Sequence, residues 1–213
     1  MEGSVAHLRN EYMKKALSKA DVAANPIDQF KTWFDEVLKS ELDEPNAMSL
    51  ATVDAKGQPS IRVVLLKDVS STGFSFFTNY TSKKGHSISQ NPKVGLNFFW
   101  HELERQIRIE GRAEMIDASQ SDSYFQTRPR GSQIGAWASP QSQAISDRGS
   151  LEKDNKMMED RYADQEVPRP EHWGGYLVIP DLVEFWQGRA NRLHDRICYM
   201  KEGDQWDIKR LAP

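Results

Sequence analysis

The chain of 213 residues has a single cysteine, Cys198. That excludes an internal disulfide framework and a cysteine-rich metal site, and a reducing compartment is the simplest reading. The 5 histidines show no His-x-x-x-His spacing, so no metal centre is expected. No run approaches the roughly 20 apolar residues that cross a bilayer. The opening residues Met1 to Val5 carry neither the basic start nor the apolar stretch of a signal peptide. A cytoplasmic protein without membrane contact is expected. Basic residues do not predominate either: 28 Lys+Arg stand against 31 Asp+Glu, a formal charge of −3. Nucleic acid is therefore not an expected partner, and any anion site must come from local clustering. Gly-x-Gly-x-x-Gly, the P-loop and the Gly-x-Ser-x-Gly elbow are all missing.

What is present reads as a globular chain, with 38% hydrophobic and 28% charged residues. Residues 5–20 scatter Val5, Leu8, Tyr12 and Leu17 among charges, as an amphipathic helix or an arm would. Asn25-Pro26 opens a helix, with Ile27, Phe30, Phe34, Val37 and Leu38 at helical spacing. The period then changes. Segments 47–53, 60–67, 74–79, 93–100 and 105–116 are rich in β-branched and aromatic residues and separated by turn signals. A short polar helix is expected at 81–90, and others near 119–126 and 150–163. Strands return at 174–179, 182–187, 192–200 and 205–210. Many short strands with few long helices between them argue against a doubly wound parallel sheet. They favour a mainly β fold, an antiparallel barrel with peripheral helices. The expected organisation is an N-terminal arm or lid over 1–20 and a single domain over 21–213.

Four stretches could carry chemistry. In strand 60–67, alternation puts Arg62 on one face with Val64 and Leu66, and Lys67 on the other with Ile61, Val63 and Leu65. Two cations so placed could bind two separate anions, or could sit at strand ends and reach water on their long stems. At Thr78 to His86 a strand runs into a polar helix. Thr81 or Ser82 is the candidate N-cap, and Lys83 and Lys84 lie in the first turn. Such a start can bind phosphate or simply be solvated. Between Tyr124 and Gln133, Tyr124, Arg128, Arg130 and Ser132 supply phosphate-type donors. Pro129 and Gly131 there suggest a shaped turn; an arginine-rich surface loop is the alternative. Last, if 192–196 is a strand, Arg192, His194 and Arg196 share a cationic face near Trp186. Such a face repels metal ions and suits an anionic ligand.

Taken together these segments resemble the pyridoxamine 5′-phosphate oxidases. Glu184-Phe185-Trp186-Gln187, a four-residue gap and Arg192-Leu193-His194-Asp195-Arg196 are similar to the family's C-terminal signature. The likeness continues in Arg62 to Lys67, Phe77-Thr78-Asn79, Glu104-Arg105-Gln106, Ser132 to Trp137, Gln141-Ser142 and Arg210 to Pro213. It implies an antiparallel split β-barrel, a homodimer with FMN at the subunit interface, and oxidation of pyridoxine or pyridoxamine 5′-phosphate to pyridoxal 5′-phosphate. Dioxygen would be the acceptor, with hydrogen peroxide released and ammonia set free from the amine.

The resemblance also implies roles. Arg62, Lys83 and Lys84 would hold the FMN phosphate. Val63, Val64, Leu65, Leu66, Lys67, Phe77, Thr78, Gln106, Gln141, Ser142, Trp186 and Arg196 would complete the flavin site. Lys67, Tyr124, Arg128 and Ser132 would clamp the substrate phosphate. Arg192, Leu193 and His194 would face the substrate ring, with Arg192 and His194 the catalytic pair. Arg9, Asn10, Glu11 and Tyr12 would belong to a segment covering the site. Two departures stand out: Lys83 replaces an arginine common in relatives, giving a point charge where a fork is usual, and Asn10 replaces a residue that is often basic. A non-catalytic binder of FMN or pyridoxal phosphate, or a flavin reductase, are the competing uses of the same barrel.

Overall fold

The computed structural model describes residues 15–40 and 42–213. Helix α1 (Pro26–Leu38) starts where Asn25 caps it, its side chain accepting from the Ile27 N–H, with Pro26 in the first turn. Strands β1 (Ala47–Val53), β2 (Pro59–Leu65), β3 (Asp68–Val69) and β4 (Phe74–Asn79) follow. Helix α2 (Lys83–Gln90) is capped by Ser82, which accepts from the Gly85 N–H. Then come β5 (Lys93–Trp100), β6 (Arg105–Met115), α3 (Ala118–Thr127), α4 (Arg130–Ala138) and α5 (Arg148–Arg161). The chain ends with β7 (Trp173–Gln187), β8 (Asp195–Glu202) and β9 (Gln205–Leu211). The hydrogen-bonded strand order is β2-β1-β5-β6-β7-β4-β3, with β8 between β7 and β9. The β3–β4, β4–β7, β7–β8 and β8–β9 pairs are antiparallel.

By packing, the chain divides into two compact units. The first holds the described residues up to Met48, with Leu96–Glu110 and Pro180–Pro213. Its core is aromatic: Phe30 meets Phe98 edge-on at 5.1 Å, and Trp33 meets Phe185 at 5.2 Å. Arg105 is buried there, its guanidinium 4.2 Å over Trp33, with Nε donating to Gln187 and Nη2 paired to Glu36 at 3.0 Å. The second unit holds Ser49–Gly95 and Gly111–Ile179. Phe74, Phe76 and Val178 are fully buried in it, and Phe125, Ile134, Tyr162, Val167 and Trp173 form a cluster beneath its helices. Two glycines let β7 pack closely. A methyl group on Gly174 would lie 2.1 Å from the Tyr80 hydroxyl, and one on Gly175 would lie 2.8 Å from the Phe77 ring.

The mainly β reading and the placement of the helices agree with this architecture, but four local expectations do not. The segments 174–179 and 182–187 are one strand. It pairs with β4 over Phe74↔Val178 to Asn79↔Trp173, then with β8 over Leu182↔Met200 to Gln187↔Asp195. Pro180 falls between those registers, where its missing N–H breaks neither ladder. Strand 60–67 ends at Leu65. The Lys67 N–H donates to the Ser75 carbonyl at 2.8 Å, so face alternation no longer governs Lys67. The 129–131 turn is the start of α4. Pro129 holds Arg128 extended (φ −73°, ψ 147°), ending α3, and then stands at the N-cap of α4, which starts at Arg130. Nor is 192–196 a strand throughout: Asn191 and Arg192 take φ of 56° and 60°, and pairing begins only at Asp195. Arg192, His194 and Arg196 therefore do not share one face by alternation.

Candidate active site

The second unit contains a cavity of about 590 Å³. Val63, Val64 and Leu65 wall it from β2, Phe77 and Thr78 from β4, and Lys67 and Lys84 reach it from the segments that follow these strands. Tyr124, Arg128 and Ser132 come from the α3–α4 junction, and Gln141 and Trp173 complete the lining. The α3–α4 break is what turns Arg128 into the cavity, because it interrupts the helix at that residue.

One wall holds Lys84, and the charge of Arg62 acts on it from outside the lining. Lys84 Nζ donates to Gln141 Oε1 at 2.7 Å, Thr78 Oγ1 at 2.9 Å and Ser82 Oγ at 3.2 Å. Burial first, and then the charge of Arg62, push its pKa from 10.5 down to about 8. Arg62 is held by neutral oxygens on β1 and β2: the Leu50 and Ser60 carbonyls at 3.0 Å, Thr52 Oγ1 at 2.9 Å and Ser60 Oγ at 2.8 Å. Burial also lowers the pKa of Arg62. Two like charges crowded together and partly desolvated are unfavourable unless an anion joins them. Every partner here is neutral, so the residues present fit a phosphate-bearing ligand.

The other wall belongs to Arg128. Its guanidinium carbon lies 4.5 Å over the Trp173 ring and 5.4 Å from Phe125. Its Nη1 is buried without a hydrogen-bond partner among the described residues. Tyr124 stacks on Phe77 at 3.9 Å. Ser132 is exposed in the first turn of α4, and Lys67 is exposed beyond β2. Among the described residues, none of Arg62, Lys67, Lys84 and Arg128 forms a salt bridge.

Gln106, Trp186, Arg192, Leu193, His194 and Arg196 lie in the first unit. Trp186 sits opposite Arg196 in the β7–β8 register, and its ring is 4.6 Å from that of His194. The Arg189 N–H donates to His194 Nδ1 at 3.1 Å, which leaves the proton of a neutral ring on Nε2. Burial first, then Arg192, lower the pKa of His194. Arg196 makes a fork to Glu184 at 2.8 and 2.9 Å, and this pairing raises its pKa. Gln106 Nε2 donates to Asn97 Oδ1 at 2.6 Å. Arg192 and Leu193 are exposed on the loop before β8.

Among the other candidates, Leu66 is buried in the core and does not line the cavity, while Lys83 is exposed on the first turn of α2. Ser142, beside Gln141, holds a left-handed φ of 71°. Arg9, Asn10, Glu11 and Tyr12 lie outside the described residues. Sequence reasoning gave no site role to Trp173, Thr127 or Asn79, which lie in the cavity wall. It gave no role to Asp195 of the C-terminal signature, which accepts from the Leu17 N–H at 3.0 Å and from Arg210 at 2.6 Å. The Trp173-Gly174-Gly175 run opening a strand was the available signal for the first of these.

Fold and cavity together define an antiparallel split-barrel protein with a pocket lined by Lys67, Lys84 and Arg128. The family model for pyridoxamine 5′-phosphate oxidase matches residues 34–161, and that for the pyridoxine 5′-phosphate oxidase C-terminal dimerisation region matches 173–213. Relatives named pyridoxine/pyridoxamine 5′-phosphate oxidase include one from Bordetella petrii, 55% identical over 211 residues (99% of this chain, 100% of the relative). Another, from a Cyanothece species, is 53% identical over 210 residues (99% of each). PhzG from Burkholderia lata, solved in complex with tetrahydrophenazine-1-carboxylic acid, is 29% identical with a TM-score of 0.88, covering 93% of this chain and 98% of its own. A pyridoxamine 5′-phosphate oxidase-related, FMN-binding protein from Nostoc punctiforme shares the fold, with a TM-score of 0.69 at 19% identity over 91% of this chain and 99% of its own. The chain belongs to the pyridoxamine 5′-phosphate oxidase family.

Proposed function

We propose that the chain oxidises pyridoxine 5′-phosphate and pyridoxamine 5′-phosphate to pyridoxal 5′-phosphate, using FMN and dioxygen and releasing hydrogen peroxide, with ammonia from the amine. The observation that carries this reading is the cavity with Lys67, Lys84 and Arg128 in its wall, none of them, nor neighbouring Arg62, neutralised by a carboxylate among the described residues. Two walls of cations suit two phosphates, one of the cofactor and one of the substrate. Arg62 and Lys84, with Thr78 and Gln141, would hold the FMN phosphate. Lys83 adds positive charge at the helix start. The backbone and side chains of Val63 to Lys67, with Phe77 and Ser142, would flank the flavin, and Gln106, Trp186 and Arg196 would complete its site. When bound, FMN supplies the acceptor for the hydride equivalent leaving the substrate.

Lys67, Tyr124, Arg128 and Ser132 would grip the substrate phosphate, remote from the carbon that reacts. Such a grip fixes the position of C4′ and converts binding into orientation. Arg192 and His194, with exposed Leu193 between them, would hold the ring. A neutral His194, with its proton on Nε2, can donate to the ring oxygen or to the C4′ substituent. Neither residue is assigned as an obligatory base. The match to the dimerisation region supports a homodimer, and FMN would bind at its subunit interface. Residues 9–12 would cover the site. The cytoplasm is the proposed compartment, on the lone cysteine.

The test separates the two phosphates. Purified protein should be yellow and consume oxygen with pyridoxamine 5′-phosphate. Arg128→Ala should weaken substrate binding and keep FMN, whereas Arg62→Ala should lose FMN. Equal flavin loss in both variants refutes the division. Bound flavin without peroxide points to a carrier, and rapid bleaching by NADH to a flavin reductase.

A further inference from the structure

We propose that Trp173 is the positioning residue of the substrate-phosphate clamp, and through it a determinant of selectivity for phosphorylated over unphosphorylated substrate. This rests on the reading of Arg128 as a substrate-phosphate ligand. Trp173 opens β7, and its position is fixed from several sides. It is opposite Asn79 in the β4 register, its N–H donates to the Pro170 carbonyl at 3.0 Å, and its own carbonyl accepts from Arg169 Nη1 at 2.6 Å. Trp173 is 7% exposed.

That fixed ring organises both halves of the clamp. Arg128 lies over it at 4.5 Å, and Phe125, which also touches the guanidinium, meets Trp173 edge-on at 5.1 Å. Phe77 stacks with Trp173 at 5.6 Å and with Tyr124 at 3.9 Å, so the three rings lie nearly parallel. An arginine can be fixed by a carboxylate or by ring faces. A carboxylate would neutralise the charge and occupy the donors. Ring faces hold the cation through the π quadrupole and leave the N–H fork available. Arg128 is held in the second way, and its buried Nη1 has no partner among the described residues. Trp173 thus keeps a desolvated cation in place while leaving its donors for an incoming phosphate.

The experiment compares W173L and W173F with the wild-type holoenzyme. W173L removes the ring face; W173F keeps a smaller one and carries the test should W173L not accumulate. Flavin content should be unchanged. The KM for pyridoxamine 5′-phosphate should rise roughly 5- to 30-fold in W173L, and less in W173F, from the loss of a desolvated cation–π contact. kcat should fall by less than KM rises. Equilibrium dialysis of pyridoxal 5′-phosphate against the holoenzyme should show the same loss, while binding of unphosphorylated pyridoxal should not change. In an R128A background W173F should add little, because its effect passes through Arg128. Equal weakening of both ligands, or an undiminished W173F effect in R128A, overturns the proposal. A wild-type holoenzyme that binds pyridoxal and pyridoxal 5′-phosphate equally would instead sink the proposed function, and this inference with it.

Discussion

Lys84 should make flavin binding pH-dependent in a direction opposite to its effect on folding. Its pKa is pushed from 10.5 to about 8, mainly by burial and then by Arg62. Thr78, Ser82 and Gln141 offer it oxygens but no negative charge. A phosphate dianion supplies that charge and returns the pKa towards its ordinary value. Below about pH 8 Lys84 is already protonated and flavin affinity should be flat. Above it the protein must take up a proton in order to bind, so affinity falls by up to about tenfold per pH unit. From pH 7 to pH 9 the expected loss is about tenfold. Folding runs the other way. With a depressed folded pKa, charged Lys84 is a full cost to the apoprotein below about pH 8, and the cost is relieved as pH rises towards 10.5. The assay is FMN fluorescence quenching by apoprotein across this range, for wild type and K84M. The wild type should show the slope and K84M should not. A flat wild-type profile, or the same slope in K84M, would refute the reasoning.

Two further expectations concern the first unit. Burial and Arg192 hold the His194 pKa below 6.5, so kcat/KM should fall only as pH drops below about 6.5 and the ring takes a second proton; the acid limb should vanish in H194N. Glu36 pairs with buried Arg105 and exposed Lys15, so E36A should lower stability by roughly 1–3 kcal/mol, discounted because Glu36 is itself partly exposed, as read by urea denaturation.

Much of the fold was legible because it is written in local chemistry. Asn25-Pro26 marks a helix start and Ser82 a cap by side chains acting on neighbouring backbone. The errors fall where long-range pairing decides. Nothing local says that 174–179 and 182–187 are one strand, since Pro180 reads as a break until its two partner strands are known. The end of β2 at Leu65 is set by Lys67 turning to bond Ser75 on β4. Arg192 was read into a strand because its left-handed φ leaves no mark in the residue type. The residue types of the site were legible; the geometry was not. Trp173 looks like the end of a proline-containing connection until the fold lays Arg128 across its face.

Charge is where the structure adds most to the sequence. A count of 28 basic against 31 acidic residues gives no global excess to draw an anion, so any anion site must come from local clustering. The fold sorts those charges unevenly. Arg108 and Arg196 share Glu184, Arg169 takes Asp122, and Arg189 and Arg210 gather on Asp195. Arg62, Lys67, Lys84 and Arg128 receive no carboxylate among the described residues; Lys67, Lys84 and Arg128 line the cavity, and Arg62 acts on it through Lys84. Arg62 and Lys84 are held by neutral oxygens, Arg128 by ring faces, and Lys67 is exposed, so these four keep their charge for a ligand. An acidic chain can therefore present a strongly cationic pocket, because what attracts an anion is the local lack of compensation rather than the sum over the sequence.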